Sequence, residues 1–257
     1  MVATRQQPHF ALPWLEPDAP FPEVESAWPA QSDAAGLLAA GADLSVARLL
    51  AAYSHGIFPW FSQGQPILWW STDPRMVLEV ANFRLHRSLH KTLKAFRKQP
   101  GSEIRIDHAF DQVIAHCSKV SRRGQTGTWI VPEMVEAYGN LHRAGYAHSI
   151  ENWQDGQLVG GLYCVAIGKA VFGESMFALQ TDASKIAVAA LVAFCRHHGI
   201  SRIDCQQNTR HLASLGAAEI SRKTFVQSLP AVTRATAPPW HFDPLYWNQL
   251  IPADATT

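Results

Sequence analysis

The stretch KAVFGESMFALQTDASKIAVAALVAFCRHHGISRIDCQ, residues 169–206, decides the fold of this chain. Residues 171–174 begin with the β-branched Val171 and the aromatic Phe172, which predicts a short strand. Residues 186–194 are apolar on every side, a pattern typical of a buried helix. Residues 203–205 predict a second strand. Because a crossover from strand to helix to strand is almost always right-handed within one sheet, the two strands are predicted to run parallel.

The carboxyl ends of these two strands define a candidate active site. Parallel strands end at the same edge of a sheet, where open α/β sheets bind their ligands. The first strand contributes Glu174, Met176 and Phe177 there, and the second contributes Asp204 and Gln206. Side chains alternate along a strand, so Asp204 and Gln206 are expected on one face. The residues alone leave another interpretation open, in which Asp204 caps a turn and Gln206 lies on the surface.

Composition bounds the class of protein. The chain has 257 residues, 47% of them hydrophobic and 17% charged, which suffices for one large or two small domains. The four cysteines have no C-x-x-C spacing, which argues against a structural zinc site or a disulfide scaffold and fits a reducing cytoplasm. Prolines and acids interrupt residues 1–22, which argues against a signal peptide. No apolar run approaches the length of about 18 residues that a membrane span needs.

Residues 84–98, RLHRSLHKTLKAFRK, carry the clearest charge signal, and they predict a helix. Five cations recur at spacings of three and four, which places them on one helix face. No acidic residue occurs between Glu79 and Glu103, whereas an ordinary solvated face mixes both signs. The pattern favours a polyanion-binding face, with an ordinary exposed helix as the alternative. The cations of this predicted face are Arg84, Arg87, Lys91, Lys94 and Lys98.

The fold class is predicted as α/β (α+β). Residues 148–153 and 157–167 read as strands joined by the hairpin turn Asp155-Gly156. A meander followed by a helix and a parallel strand resembles the mixed sheet of the GCN5-related N-acyltransferase fold. That fold usually binds acyl-coenzyme A through an R/Q-x-x-G-x-G/A loop, and no such loop follows the 171–174 strand. We expect a small aromatic-rich N-terminal domain, 1–80, and an acyltransferase-like catalytic domain, 81–257, ending in an irregular strap.

Nine motifs, in order and with compatible spacing, resemble the bacterial leucyl/phenylalanyl-tRNA–protein transferase family. They are GIFPWF (56–61), ILWWSTDPR (67–75), GTWI (127–130), AHSIENW (147–153), LVGGLY (158–163), FGESMF (172–177), DASK (182–185), IDCQ (203–206) and HLASLGAAEISR (211–222). The resemblance implies transfer of leucine or phenylalanine, and sometimes methionine, from aminoacyl-tRNA to the α-amine of proteins that begin with arginine or lysine. Such transfer marks those proteins for degradation. The donor is an activated ester, so the resemblance implies no ATP, metal or coenzyme.

The resemblance also implies roles for particular residues. Asp204 and Gln206 become the catalytic pair, with Asp204 polarising or orienting Gln206 towards the acceptor amine. Trp60 and Trp129 correspond to tryptophans that hold the terminal adenosine, and Glu174 to a glutamate at the aminoacyl-adenosine. An apolar pocket for the donor side chain is expected, although plain core packing is the alternative for its walls. Those walls are Leu162, Met176, Phe177, Val188 and Ile203.

Three other functions remain open at this point. A coenzyme A-dependent N-acetyltransferase fits the fold but lacks the pyrophosphate loop. An aminoacyl-tRNA-dependent transferase that builds peptidoglycan cross-bridges shares the donor and differs in the acceptor. A non-catalytic RNA-binding module explains the basic face, but it leaves Asp204 and Gln206 at a strand end without a purpose.

Overall fold

Two sheets organise the chain in the computed structural model, which describes residues 11–119 and 130–252. The smaller sheet is built from the N-terminal segment and has the strand order β1-β2-β4-β3. Its strands are β1 (Trp14–Leu15), β2 (Leu37–Gly41), β3 (Phe58–Pro59) and β4 (Leu68–Trp70), with helix α1 (Val46–Ser54) between β2 and β3. The Ser45 hydroxyl caps α1 by accepting a hydrogen bond from the Arg48 amide.

The larger sheet has seven strands in the order β11-β5-β10-β9-β8-β7-β6. They are β5 (Arg75–Glu79), β6 (Ser102–Ile106), β7 (Ala147–Gln154), β8 (Gln157–Ile167), β9 (Ala170–Ala178), β10 (Arg202–Gln206) and β11 (Ala218–Ile220). Strands β9 and β10 are parallel, and the other paired strands of this sheet are antiparallel. The mixed α/β fold and its parallel pair are therefore confirmed.

The predicted hairpin is also confirmed. Strands β7 and β8 pair antiparallel around Asp155 and Gly156, whose φ angles are 49° and 75°. Both residues thus adopt the left-handed conformation that a tight two-residue hairpin turn requires. Strand β9 runs on to Ala178, beyond the predicted end at Glu174.

Helices cover both faces of the larger sheet. One face carries α2 (Arg87–Lys98) and α5 (Ala183–His197), and the other carries α3 (Phe110–Cys117), α4 (Pro132–Arg143) and α7 (Arg222–Thr233). The short α6 (Arg210–Ser214) follows β10, and a 3-10 helix spans Pro244–Gln249. Among the described residues, no helix is both long and apolar enough to cross a membrane.

Helix α5 is buried all round, as its composition predicts. It contacts β7, β8 and β9 on one side, and α2 and the 3-10 helix on the other. Burial of apolar surface contributes roughly 25 cal/mol per Å², so this helix is a main source of the stability of the sheet. The Trp240 ring stacks on His148 and on Phe194, with its centroid 4.0 Å from the first ring and 4.6 Å from the second.

The sequence predicts an irregular strap after Thr224, but the strap begins later. Helix α7 continues to Thr233 although Pro230 lies inside it. Phe225 and Leu229 are one turn apart on α7 and both are buried, and their packing offsets the hydrogen bond that proline removes. The domain division at residue 80 stays a prediction; strand β5 belongs to the larger sheet.

Candidate active site

The parallel strands β9 and β10 part at the predicted edge because each carries an irregularity there. They pair at Val171–Ile203 and Phe172–Asp204. Just beyond, the register of β9 against β8 shifts between Gly173 and Ser175, and that of β10 against β5 shifts between Asp204 and Gln206. An extra residue in one strand bends it and re-aims the neighbouring side chains. The two irregularities therefore open a gap in the middle of the sheet.

A cavity of about 390 Å³ occupies this gap, a size typical of small-molecule sites. Its walls come from both faces of the sheet, including α5 on one face and the segment Phe58–Trp60 on the other. Glu174 and Gln206 supply polar groups to the wall. The α5 side of the cavity is apolar and is walled by Leu78, Leu162, Met176, Val188, Leu191 and Ile203.

A buried ion pair fixes the end of β10. Arg75 donates from Nε to Asp204 Oδ1 over 2.8 Å and from Nη2 to Asp204 Oδ2 over 2.6 Å, and both side chains are 1% exposed. Its guanidinium carbon lies 4.7 Å from the ring centroids of both Phe58 and Phe225, and Nη1 donates to the Gly56 carbonyl. Both carboxylate oxygens of Asp204 are thus engaged away from the cavity, which makes Asp204 a structural anchor of the strand end.

Gln206 is held in an unusual conformation by contacts to its backbone. Its φ is 55°, in the left-handed region, which is uncommon for a residue with a side chain. The Gln206 backbone N–H donates to Asp204 Oδ1 over 3.1 Å, and the Gln206 backbone carbonyl accepts from the Thr72 hydroxyl over 3.1 Å. The expected alternation is therefore interrupted, and Asp204 positions Gln206 through the backbone rather than through the side-chain amide.

Glu174 is the direct partner of the Gln206 side chain. Gln206 Nε2 donates to Glu174 Oε1 over 3.4 Å, and the Tyr138 hydroxyl donates to Glu174 Oε2 over 3.0 Å. The hydroxyls of Tyr138 and Tyr53 lie 2.6 Å apart behind this carboxylate. Burial raises the pKa of Glu174 to about 7, against the opposing effect of hydrogen bonds from both tyrosines. The group therefore changes its charge near neutral pH.

Most of the predicted substrate-binding residues meet at the cavity. Trp60, Glu174, Leu162, Met176, Val188 and Ile203 all line it. Trp60 is half-buried, and Trp70 supports it from behind with ring centroids 5.2 Å apart. Phe177 does not line the cavity: it follows Met176 in the strand, points to the opposite face and stacks on His116. Trp129 lies outside the described residues.

The basic segment forms helix α2, with one difference from the prediction. The helix begins at Arg87, so Arg84 precedes it, and the Arg84 amide donates to the Leu215 carbonyl. A buried apolar face anchors α2 to the body of the protein through Leu89, Leu93 and Phe96. The remaining predicted cations, Arg87, Lys91, Lys94 and Lys98, are exposed or half-buried.

Sequence reasoning missed the residues that support the site. Arg75, Tyr53 and Tyr138 received no role, although Arg75 lies inside the quoted motif ILWWSTDPR. One signal was available, because a charged residue that opens an otherwise apolar strand requires a buried partner. Nothing in the spacing along the chain identifies that partner as Asp204, which lies 129 residues away.

Comparisons with known proteins place the chain in a family. A sequence profile described as leucyl/phenylalanyl-tRNA protein transferase matches residues 77–230, and a profile for its N-terminal domain matches residues 42–73. A Polaromonas sp. protein named leucyl/phenylalanyl-tRNA–protein transferase is 62% identical over 246 residues, covering 96% of each chain. Namesakes from Albidiferax ferrireducens and Leptothrix cholodnii are each 61% identical, cover 93% of this chain, and are covered over 94% and 95% of their own lengths.

Solved structures that align with the chain include distant neighbours. A GCN5-related N-acetyltransferase from Kribbella flavida aligns with a TM-score of 0.33 and 10% identity, over 67% of this chain and 60% of that one. A likeness at this level adds nothing to the strand order described above. The profile over residues 77–230 and the close relatives are decisive: the chain belongs to the leucyl/phenylalanyl-tRNA–protein transferase family.

Proposed function

We propose that this protein transfers leucine or phenylalanine, and also methionine, from aminoacyl-tRNA to the α-amine of proteins that begin with arginine or lysine. Acting in the cytoplasm, it would mark those proteins for degradation. The observation that carries the proposal is the cavity in the strand gap, where an apolar pocket meets the polar pair Glu174–Gln206. The names of the close relatives support the coarser part of the proposal, the transfer of leucine or phenylalanine from tRNA to a protein.

The donor fits the cavity in one orientation. Its leucine or phenylalanine side chain enters the apolar part against α5, where Met176 adapts to either shape. The terminal adenosine lies against Trp60, since a base stacks favourably on an indole ring. By the family resemblance, Trp129 is the second tryptophan at the adenosine. The ester carbonyl then lies near Glu174 and Gln206.

The chemistry is aminolysis of an ester. The acceptor nitrogen attacks the carbonyl carbon, the bond to the ribose 3′ oxygen breaks, and the amine loses a proton. An α-amine has a pKa of about 8, so roughly a tenth of it is neutral at pH 7. Because Gln206 Nε2 donates to Glu174, its Oε1 is left to accept a hydrogen bond from the amine. An amide is too weak a base to take the proton, which passes to the leaving ribose oxygen or to water.

Asp204 acts on this reaction at one remove. Asp204 accepts a hydrogen bond from the Gln206 backbone N–H and is itself bound by Arg75. It therefore fixes the position at which Gln206 accepts a hydrogen bond from the acceptor amine. Orientation of this kind contributes several kcal/mol to a barrier. We therefore assign contact with the substrates to Gln206 and Glu174, and a positioning role to Asp204.

The tRNA body binds along the basic segment. Contacts from lysine and arginine to phosphates supply affinity without reading sequence, which suits an enzyme whose donors share only the aminoacyl group and the CCA end. Arg87, Lys91, Lys94 and Lys98 on α2 form this surface, with Arg84 preceding the helix. The buried face of α2 makes the surface rigid.

The testing experiment offers labelled leucyl-tRNA with a peptide that begins with arginine and with a matched peptide that begins with alanine. Label should enter the first peptide and not the second. Absence of label from both peptides would reject the proposal. Two parallel reactions separate the other functions: acetyl-coenzyme A with the arginine peptide, and leucyl-tRNA with a lipid-linked muropeptide. Product in either of these alone would favour the corresponding alternative.

A further inference from the structure

A second, smaller cavity of about 90 Å³ shares a lining residue, His211, with the large one. Helix α5 passes along both cavities: Leu191 and Val188 line the large cavity, and Lys185 and Asp182 line the small one. Val188 and Lys185 are three residues apart and therefore lie next to each other on the helix surface, and Asp182 precedes the first residue of the helix. With a rise of about 1.5 Å per residue, Lys185 lies about 4.5 Å further along the axis than Val188. The two cavities thus succeed one another towards the amino end of α5.

One residue is common to the linings of the two cavities. His211, on α6, lines both the large and the small cavity. Its ring forms no hydrogen bond with the part of the chain that the structure describes, and it is half-buried. Burial, followed by the nearby Lys185, lowers the pKa of this imidazole. A neutral ring is compatible with an apolar pocket on one side and with a polar space on the other.

The small cavity is lined partly by polar groups, among them Asp182 and Lys185, and partly by Leu89 and Leu215. Lys185 Nζ lies 2.7 Å from Asp182 Oδ1, and the Thr92 hydroxyl lies 3.4 Å from Asp182 Oδ2. His86 and Ser214 also line this cavity, and His86 Nε2 lies 2.7 Å from the Ser214 carbonyl oxygen. An ammonium group and a carboxylate held side by side can donate and accept hydrogen bonds for one small polar group.

We propose that His211 is a specificity-determining residue, whose ring closes the donor side-chain pocket and keeps it apart from the polar space at Asp182 and Lys185. The inference rests on the proposed function, because it takes the apolar part of the large cavity as the site of the donor side chain. With the ring in place, the pocket ends in an apolar and neutral wall that suits leucine and phenylalanine. Without the ring, the pocket extends to the polar space and accepts longer side chains that end in a polar group.

The test compares donors that differ only in the side chain. Leucyl-adenosine, 4-carboxamidophenylalanyl-adenosine and the similarly shaped, apolar 4-isopropylphenylalanyl-adenosine are offered with the arginine peptide. His211→Ala should raise kcat/KM for the carboxamide donor, relative to leucyl-adenosine, by roughly 10–100-fold, the usual scale for a change in pocket complementarity. The isopropyl donor should gain less, because its end group leaves Asp182 and Lys185 without a partner.

Two further variants make the result specific. His211→Phe keeps the bulk of a ring and should retain the wild-type preference, whereas loss of preference in H211F would overturn a steric role. His108→Ala removes an exposed histidine at the edge of the large sheet and should change nothing. If H211A does not fold, as judged by circular dichroism, His211→Ser carries the same comparison.

The inference and the proposed function fail in different ways. If wild-type protein does not transfer leucine to the arginine peptide, the proposed function fails. If the wild type is active but H211A keeps the wild-type donor ratio within about twofold, only the role of His211 falls. A folded H211A variant that has lost leucine transfer entirely would place His211 in the chemistry and would likewise overturn its role as a partition.

Discussion

Removal of the Arg75 guanidinium should destabilise the protein strongly and specifically through Asp204. In the native protein the Asp204 side chain is 1% exposed. Arg75→Met removes its two charge-assisted hydrogen bonds and leaves the Gln206 backbone N–H as its only donor within the described part of the chain. The Gly56 carbonyl keeps a partner, because the Ser71 hydroxyl also donates to it. Breaking a buried ion pair by deleting one partner typically costs about 3–5 kcal/mol.

The double variant separates the ion pair from simple packing. Asp204→Asn alone leaves the Arg75 charge buried without a counter-charge, so it should also be costly. R75M/D204N removes both charges and should be more stable than R75M, because a buried pair replaced as a whole is often close to neutral. Equilibrium urea unfolding measures the stability of all four proteins. A loss of about 3–5 kcal/mol moves the midpoint by about 1–2.5 M for a slope of about 2–3 kcal/mol/M.

The coupling energy between Arg75 and Asp204 tests whether the two side chains interact. If the free-energy losses of R75M and D204N simply add in the double variant, the two side chains do not interact and the anchor described above is wrong. A loss below about 1 kcal/mol in R75M would contradict it equally. Transfer activity of the folded variants with leucyl-adenosine gives a second measure, since a released Gln206 should lower kcat more than it raises KM.

Three further outcomes are expected. Glu174→Gln should remove a pH dependence of stability. The raised pKa of Glu174 lets the folded state keep a proton between about pH 4.5 and 7 that the unfolded chain loses, so wild-type stability falls as the pH rises through this window. The variant should therefore be more stable than the wild type at pH 8, by about 3 kcal/mol in urea unfolding. Identical pH profiles for the two proteins would refute this. Met176→Ala should lower kcat/KM for both leucyl and phenylalanyl donors, by an amount that corresponds to about 1–3 kcal/mol of lost transition-state binding. Unchanged kinetics in a stable variant would place Met176 outside the pocket. Replacing Arg87, Lys91 and Lys94 with glutamine should flatten the dependence of log affinity for aminoacyl-tRNA on log salt by about two units, while leaving turnover of leucyl-adenosine unchanged; equal loss on both donors would make the helix structural.

The sequence pattern alone predicted the elements that depend on residues close together along the chain. The all-apolar run 186–194 requires burial wherever it lies, and residues 203–205 follow it too closely for any connection but a crossover. The hairpin at Asp155-Gly156 depends on two residues that tolerate the left-handed conformation. Ordered motifs identify the family because many residues must agree at once, which chance seldom produces.

Tertiary structure decided the site. Alternation along β10 predicts that Asp204 and Gln206 share a face, but the irregularity between them and the left-handed Gln206 depend on Thr72 and Arg75, which are distant in sequence. The pairing of Gln206 with Glu174 has the same origin. Phe177 was predicted to line the pocket because it belongs to a family motif, but membership in a motif does not determine which face of a strand a side chain occupies.

By itself, the sequence determined the helix and strands around residues 169–206, the family, and a basic segment without acids, since each follows from the order of residue types along the chain. Only the folded chain determined that Asp204 pairs with Arg75, that Glu174 accepts a hydrogen bond from Gln206, and that His211 lines two cavities. These facts are distances between segments far apart in sequence. The physical reason is that packing and buried charge are settled by what each side chain meets in space.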